Sequence, residues 1–187
     1  MATLNESLFH SLFGLSHQSF LLDGFFVFLG QYLPYFMVLL ALGWIFSFES
    51  KRERWFVFLE IAIILILSRG IIAEVFHFFY QHPRPMDALG LAALLSEHGN
   101  SFPSGHASFM FALSGGMLMF SWRWGLVYLG LSLVNGFARV VAGVHWPLDI
   151  LGGMVVGLVS AILIHLLLSK YHPHKKETED GLASAQL

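Results

Sequence analysis

Five long apolar runs, at residues 32–48, 55–76, 106–122, 125–141 and 147–169, constrain this chain more than any other feature. A helix that crosses the hydrocarbon core of a bilayer needs roughly 20 predominantly apolar residues. Lipid admits only backbones whose polar groups are satisfied internally, so runs of this length predict helices. Composition agrees: 56% of the residues are hydrophobic and 12% charged, where a soluble domain carries about 25% charged residues. The expected fold is therefore all-α, a polytopic integral membrane bundle. An earlier run, 11–29, is interrupted by Ser16, His17, Gln18, Ser19 and Asp23. It reads either as a first span or as an interfacial helix followed by a short buried one. The expectation is five to six transmembrane helices forming a single domain over residues 1–171. A polar, disordered tail follows over 172–187.

Lysine and arginine in short loops orient such a bundle, because they stay on the cytoplasmic side. Lys51, Arg52 and Arg54 separate the first two of the five runs, Arg123 separates the third and fourth, and Lys170, Lys175 and Lys176 follow the last. Alternation puts all three clusters, and the C-terminus, on the cytoplasmic side. Segments 77–103 and 142–146 then face outward. The N-terminus lacks a basic region followed by a small-residue cleavage site, so no signal peptide is expected. A net charge of −2 argues against nucleic-acid binding. Cysteine is absent, which excludes disulfides and thiolate metal sites.

Polar residues gather in and beside the two outward segments, where their desolvation calls for a purpose. In Pro103-Ser104-Gly105-His106, Ser104 suits a helix N-cap ahead of an apolar helix. The N-terminus of that helix offers unpaired N–H groups and the positive end of its dipole, an anion site. His106 then stands beside a bound phosphate as a proton donor, although an ordinary cap with an incidental histidine reads the same. Further on, Arg139 ends one apolar run, and His145 and Asp149 are four apart around Pro147, a residue suited to a first helical turn. That spacing brings a carboxylate to one imidazole nitrogen, fixes the tautomer, and leaves the other nitrogen free to attack. Arg139 can clamp phosphate oxygens in a bidentate manner. Arg84, in His82-Pro83-Arg84-Pro85, projects into the same outer region.

These three strings, in this order, resemble the signature of the type 2 phosphatidic acid phosphatase superfamily: Lys-x6-Arg-Pro, Pro-Ser-Gly-His and Ser-Arg-x5-His-x3-Asp. The resemblance spans about Arg69 to Gly153 and implies an acid phosphatase/haloperoxidase-like core. By that resemblance His145 is the nucleophile that forms a phosphohistidine, Asp149 orients it, and His106 protonates the leaving oxygen and later activates water. His77, Arg84, Ser104, the Gly105 backbone and Arg139 hold the phosphate. The family uses no metal and no cofactor. Two positions depart from the signature. His77 stands where the family has Lys, with its spacing to Arg84 intact, and Ala138 replaces the Ser before Arg139. A histidine's conditional charge implies weaker phosphate binding as pH rises through its pKa.

Other polar residues carry smaller expectations. Arg69 and Glu74, inside an apolar run, read as a structural ion pair more than as functional groups. Glu60 falls near the cytoplasmic end of the same helix. His82 reads as a loop histidine, Asp87 and Glu97 as outer-loop groups within reach of a substrate head. His165, His172 and His174 lie towards the cytoplasmic side, and His10 and His17 carry no signal. Gly153-x-x-x-Gly157 reads as intramolecular helix packing rather than a dimer contact. Segment 86–101, with Leu89, Leu91, Leu94 and Leu95, is expected to form an amphipathic helix on the membrane interface, covering the site.

A membrane-edge site suits a polyprenyl or glycerolipid phosphate. The small size and loop pattern resemble bacterial members that hydrolyse undecaprenyl diphosphate to undecaprenyl phosphate and inorganic phosphate, recycling the carrier lipid of peptidoglycan synthesis at the outer face of the cytoplasmic membrane. Phosphatases for phosphatidylglycerophosphate, phosphatidate or lipid A are the alternatives. A non-enzymatic transporter would spread polar residues along the middle of its helices. A bis-histidine haem protein would leave Arg84 and Arg139 without a purpose.

Overall fold

The computed structural model describes residues 4–172. The expected tail from 173 onward, with His174, Lys175 and Lys176, lies outside the described residues. Among these residues the chain is helical, with no strand. Helix α1 is Leu4–Phe13; α2 is Phe20–Phe46 and α3 is Lys51–Phe79. A short α4, Pro85–Leu89, follows. Helices α5, α6 and α7 are Gly105–Phe120, Trp122–Val141 and Pro147–Leu168. Four of these, α2, α3, α6 and α7 with its terminal turn, are long and apolar enough to cross a membrane, and α5 is a shorter apolar helix.

The five runs expected from the sequence thus appear as helices, but the earlier run 11–29 does not make a sixth span. The chain turns at residues 14–19, where the His17 N–H donates to the Asp23 carboxylate at 2.8 Å. Ser19 then caps α2, which runs on without a break to Phe46. The polar residues that interrupt the run are the ones that make the turn. Helix α1 packs across the end of the bundle, with Phe9 fully buried against Trp146. Its Asn5 side chain accepts the Leu148 N–H at 3.0 Å, in the first turn of α7.

Helix α5 is the axis. Nearly all of it from Gly105 to Met117 is buried, between α3, α6 and α7. Its 16 residues rise about 24 Å at 1.5 Å each, short of the ~30 Å hydrocarbon core. Its N-terminus lies at a recess, which Gly105 and His106 line. Close packing on α7 needs Gly153 and Gly157: a Cβ at 157 would stand 2.5 Å from the Ala112 nitrogen and one at 153 would stand 2.7 Å from the Ser104 oxygen. The packing is intramolecular, as expected. Away from the recess, Met37, Ile61, Met110, Met117 and Tyr128 form the largest apolar core, and the Tyr128 hydroxyl donates to the Met37 carbonyl at 2.9 Å.

Segment 86–101 does not form the expected amphipathic helix. Gly90 adopts φ +62° and ends α4 after five residues. The leucines then turn inward rather than towards lipid. Leu91 packs against the Phe9–Trp146 cluster, Leu94 against Phe26, Ala138 and Val141, and Leu95 approaches Gly30 on α2. Filling gaps between helices with these leucines removes more apolar surface from water than laying them along an interface. The result is an irregular strap over the recess.

Candidate active site

Three loops meet above the N-terminus of α5. Residues 80–84 and 99–104 are joined where the Ser101 N–H donates to the His82 carbonyl at 2.8 Å. The Trp146 indole N–H donates to the Pro83 carbonyl at 3.0 Å and brings in the α6–α7 connection. Arg84 is held by the carbonyls of Gly99, at 3.2 Å, and Val144, at 3.0 Å. The recess beneath is a cavity of about 240 Å³ lined by Arg69, His77, Arg84, Glu97, His98, Gly105, His106 and His145.

His145 is 1% exposed. Its Nδ1 lies 3.3 Å from Asp149 Oδ2, and its Nε2 is 3.2 Å from an Arg84 N–H. The contact to a carboxylate selects the Nδ1–H tautomer, and the Nε2 lone pair, on the cavity side, accepts from Arg84. Burial, then the neighbouring Arg139 and Arg84, hold this imidazole well below the ordinary histidine range, so it is neutral. Asp149 is itself fixed: it accepts the Trp146 N–H at 2.8 Å at the start of α7, and the Ser101 hydroxyl donates to it.

Arg139 is fully buried at the end of α6. One N–H donates to the Gly30 carbonyl at 3.0 Å, and another pairs with Glu97. Its Nε has no hydrogen-bond partner among the described residues. Glu97, expected from the sequence as an outer-loop group within reach of a substrate head, stands at the centre. It pairs with Arg139 and, at 2.7 Å, with Arg84, and lies 3.8 Å from both His145 Nε2 and His106 Nδ1. Burial raises a carboxyl, but pairing with Arg139 and the proximity of His145 and His106 outweigh that and bring Glu97 down to about 2.

The remaining residues divide by position. Gly105 and His106 line the cavity at the start of α5. Ser104 lies behind the wall, fully buried, with its hydroxyl accepting the Ala107 N–H at 3.4 Å as the helix cap. His77 lines the cavity, yet its Nε2 lies 2.9 Å from the Pro103 carbonyl. That contact spends its ring N–H on the backbone. Arg69 also faces the cavity, paired with Glu74. His82 stacks on Tyr80 and meets the edge of Trp146, beside the site rather than in it. Asp87 is exposed on α4. At the opposite end of the bundle, His165 contacts Glu60 at 2.8 Å, and His172 stacks on Phe120. Ser101 and the central place of Glu97 were missed because both lie in the irregular strap, where no periodicity marks which side chains turn inward.

A helical membrane bundle whose recessed end gathers arginines around a carboxylate-oriented neutral histidine is an integral membrane phosphatase. The chain belongs to the PAP2 superfamily, whose sequence profile matches residues 55–173. It is 32% identical over 165 residues to undecaprenyl-diphosphatase BcrC of Bacillus subtilis (strain 168), covering 86% of this chain and 82% of the relative. It is 28% identical over 196 residues to a protein of Bacillus licheniformis named bacitracin transport permease protein BcrC, covering 95% of each. The fold is similar to that of crystalline Aquifex aeolicus LpxE, with a TM-score of 0.70, 24% identity, and coverage of 87% of this chain and 95% of that one. The chain is accordingly a membrane-embedded phosphoric ester hydrolase.

Proposed function

We propose that the chain hydrolyses undecaprenyl diphosphate to undecaprenyl phosphate and inorganic phosphate, through a phosphohistidine on His145, at the outer face of a bacterial cytoplasmic membrane. The observation that carries the reading is His145: a neutral imidazole with Nδ1 against Asp149 and Nε2 facing a cavity ringed by arginines. A substrate phosphate takes the place of the Glu97 carboxylate between Arg84 and Arg139, and the free N–H of Arg139 becomes available to it. The Nε2 lone pair attacks the terminal phosphorus. The bond from phosphorus to the bridging oxygen breaks, and His106 supplies a proton to the departing oxygen. Water then attacks the phosphohistidine, giving its proton to His106, and inorganic phosphate leaves. The arginines and the α5 N-terminus offset the charge that grows on the phosphoryl oxygens.

The outer-face assignment is supported by charge. Exposed Lys51, Arg52, Arg123 and Lys170 lie at the end opposite the cavity, which the positive-inside rule assigns to the cytoplasm along with the C-terminus. Similarity to the B. subtilis diphosphatase supports the substrate.

The test is phosphate release from a panel containing undecaprenyl diphosphate, phosphatidylglycerophosphate, phosphatidate and lipid A, with EDTA present. The expected result is the highest kcat/KM for the diphosphate, undiminished by EDTA, and no acid-labile phosphoenzyme in His145→Ala. A higher kcat/KM for a glycerolipid phosphate overturns the substrate, and wild-type turnover by His145→Ala overturns the nucleophile.

A further inference from the structure

We propose that Arg69 binds the lipid-proximal phosphate of a diphosphate substrate, and so selects lipid diphosphates over lipid monophosphates. The inference deepens the reading above and rests on it. Its ground is a second cavity. Beside the polar recess runs an apolar groove of about 450 Å³, walled by Pro34, Val38 and Leu39 of α2 and Phe109 of α5. Arg69, Gly105 and His106 line both spaces. They form the boundary between a cavity that suits phosphate and one that suits a hydrocarbon chain. A lipid diphosphate bridging the two has its terminal phosphate in the recess, its first prenyl units in the groove, and its proximal phosphate at that boundary.

The wall at the boundary is built for the guanidinium. Arg69 lies against the Gly105 backbone so closely that a Cβ there would stand 2.6 Å from its Nε. It projects from a π-helical turn, Ile66–Ile72, within α3, the kind of bulge often found at functional sites. The His77 Nε2, on the same helix, is engaged by the Pro103 carbonyl, and Arg69 is the guanidinium that α3 brings to the recess. Its partner Glu74 is half exposed rather than enclosed by protein, which leaves the pair room to rearrange around a ligand.

The chemistry distinguishes the two substrates. When the terminal phosphorus moves to His145, the electron pair of the broken bond stays on the bridging oxygen, whose charge grows until His106 protonates it, and the departing lipid monophosphate keeps its proximal phosphate at the boundary. A guanidinium placed there stabilises that charge as it forms. From a lipid monophosphate the departing group is a prenyl alcohol, with no second phosphate for Arg69 to meet.

The experiment uses farnesyl diphosphate and farnesyl monophosphate, which share one tail, with the full chain in detergent. The readout is the ratio of their kcat/KM values. The wild type is expected to favour the diphosphate, and Arg69→Gln to lower the ratio by about 30-fold, the scale of one lost charge-assisted contact. Arg69→Lys recovers part of it. An unchanged ratio in Arg69→Gln with an active wild type overturns the role of Arg69 while leaving the phosphatase reading intact. A wild type that hydrolyses neither farnesyl compound nor undecaprenyl diphosphate overturns the reading and the inference together. Glu74→Gln, which frees Arg69, keeps the test open if Arg69→Gln fails to fold: the ratio should rise, and a constant ratio overturns the proposal.

Discussion

Glu97 is the residue whose place most affects how the site behaves without substrate. A carboxylate between Arg84 and Arg139 compensates two buried cations that would otherwise lie uncompensated in the recess. It also competes with any incoming phosphate. Glu97→Gln is expected to tighten inhibition by inorganic orthovanadate about tenfold, roughly the effect of 1.4 kcal/mol; an inhibition constant that stays level or rises counts against a shared seat. The same pairing sets a pH dependence. The Glu97 value of about 2 lies below the ordinary 4.5, so its stabilising contribution is complete above 4.5 and is lost as pH falls towards 2. The difference in Tm between wild type and Glu97→Gln should shrink over that window. His145 gives a second prediction. Because its imidazole is held well below 6.5, the rate of phosphoenzyme formation should not decline through protonation of His145 as pH drops through 6.5. Rapid-quench trapping across that range checks this.

Two π-helical turns shape the elements around the recess. Phe28–Tyr32 lies in α2 and Ile66–Ile72 in α3. The first turns carbonyls of Leu29 and Gly30 towards α6, where Asn135 donates to both and Arg139 donates to Gly30. The second carries Arg69. Close contact between α5 and α7 is the other element-level device. Gly157→Val places branched carbons against the Ala112 nitrogen and the Ser108 oxygen. It should cost at least the ~1–3 kcal/mol of an overpacked core, read as a lower Tm in detergent. At the far end, Glu60 is 1% exposed and pairs with His165 across α3 and α7. Removing one partner strands a buried polar group, whereas replacing both with apolar residues of similar size is near neutral. His165→Leu alone, which strands the buried Glu60, should therefore lower Tm more than Glu60→Leu with His165→Leu.

At the scale of the whole molecule the ends of the bundle differ in chemistry. One end holds the recess and the three motif loops. The other carries Lys51, Arg52 and Arg123 with exposed Trp55, Trp122, Trp124 and Tyr171, the mixture of basic and amphipathic aromatic side chains suited to a headgroup layer. Between them the helices expose apolar faces, among them Leu39, Leu40, Val155 and Leu166, that suit lipid rather than water. The natural absence of cysteine makes orientation directly measurable. Asp87→Cys, at the recess end, should react with a membrane-impermeant maleimide added to intact spheroplasts. Arg123→Cys should react only after lysis. The reverse pattern overturns the outer-face assignment.

The apolar runs alone determined the helical class and the extents of the long helices to within a few residues at most ends, because in lipid the backbone has no alternative to internal hydrogen bonding. Only the 32–48 run was far too short, since α2 begins at Phe20. Motif spacing also brought out His145 with Asp149 and the cap at Ser104, since these depend on contacts within a turn or two of helix. What only the tertiary structure decided lies in the irregular segments and at helix crossings. No periodicity in 86–101 says that Leu91, Leu94 and Leu95 turn into the bundle, so neither the strap nor the central place of Glu97 was legible. The π-helical turns leave no local mark either, and Arg69 becomes part of the recess only because α3 bulges beside the N-terminus of α5. Local hydrogen bonding and hydropathy act over a few residues and are written in the chain. Which distant side chain fills a gap between helices depends on the packing of all of them at once.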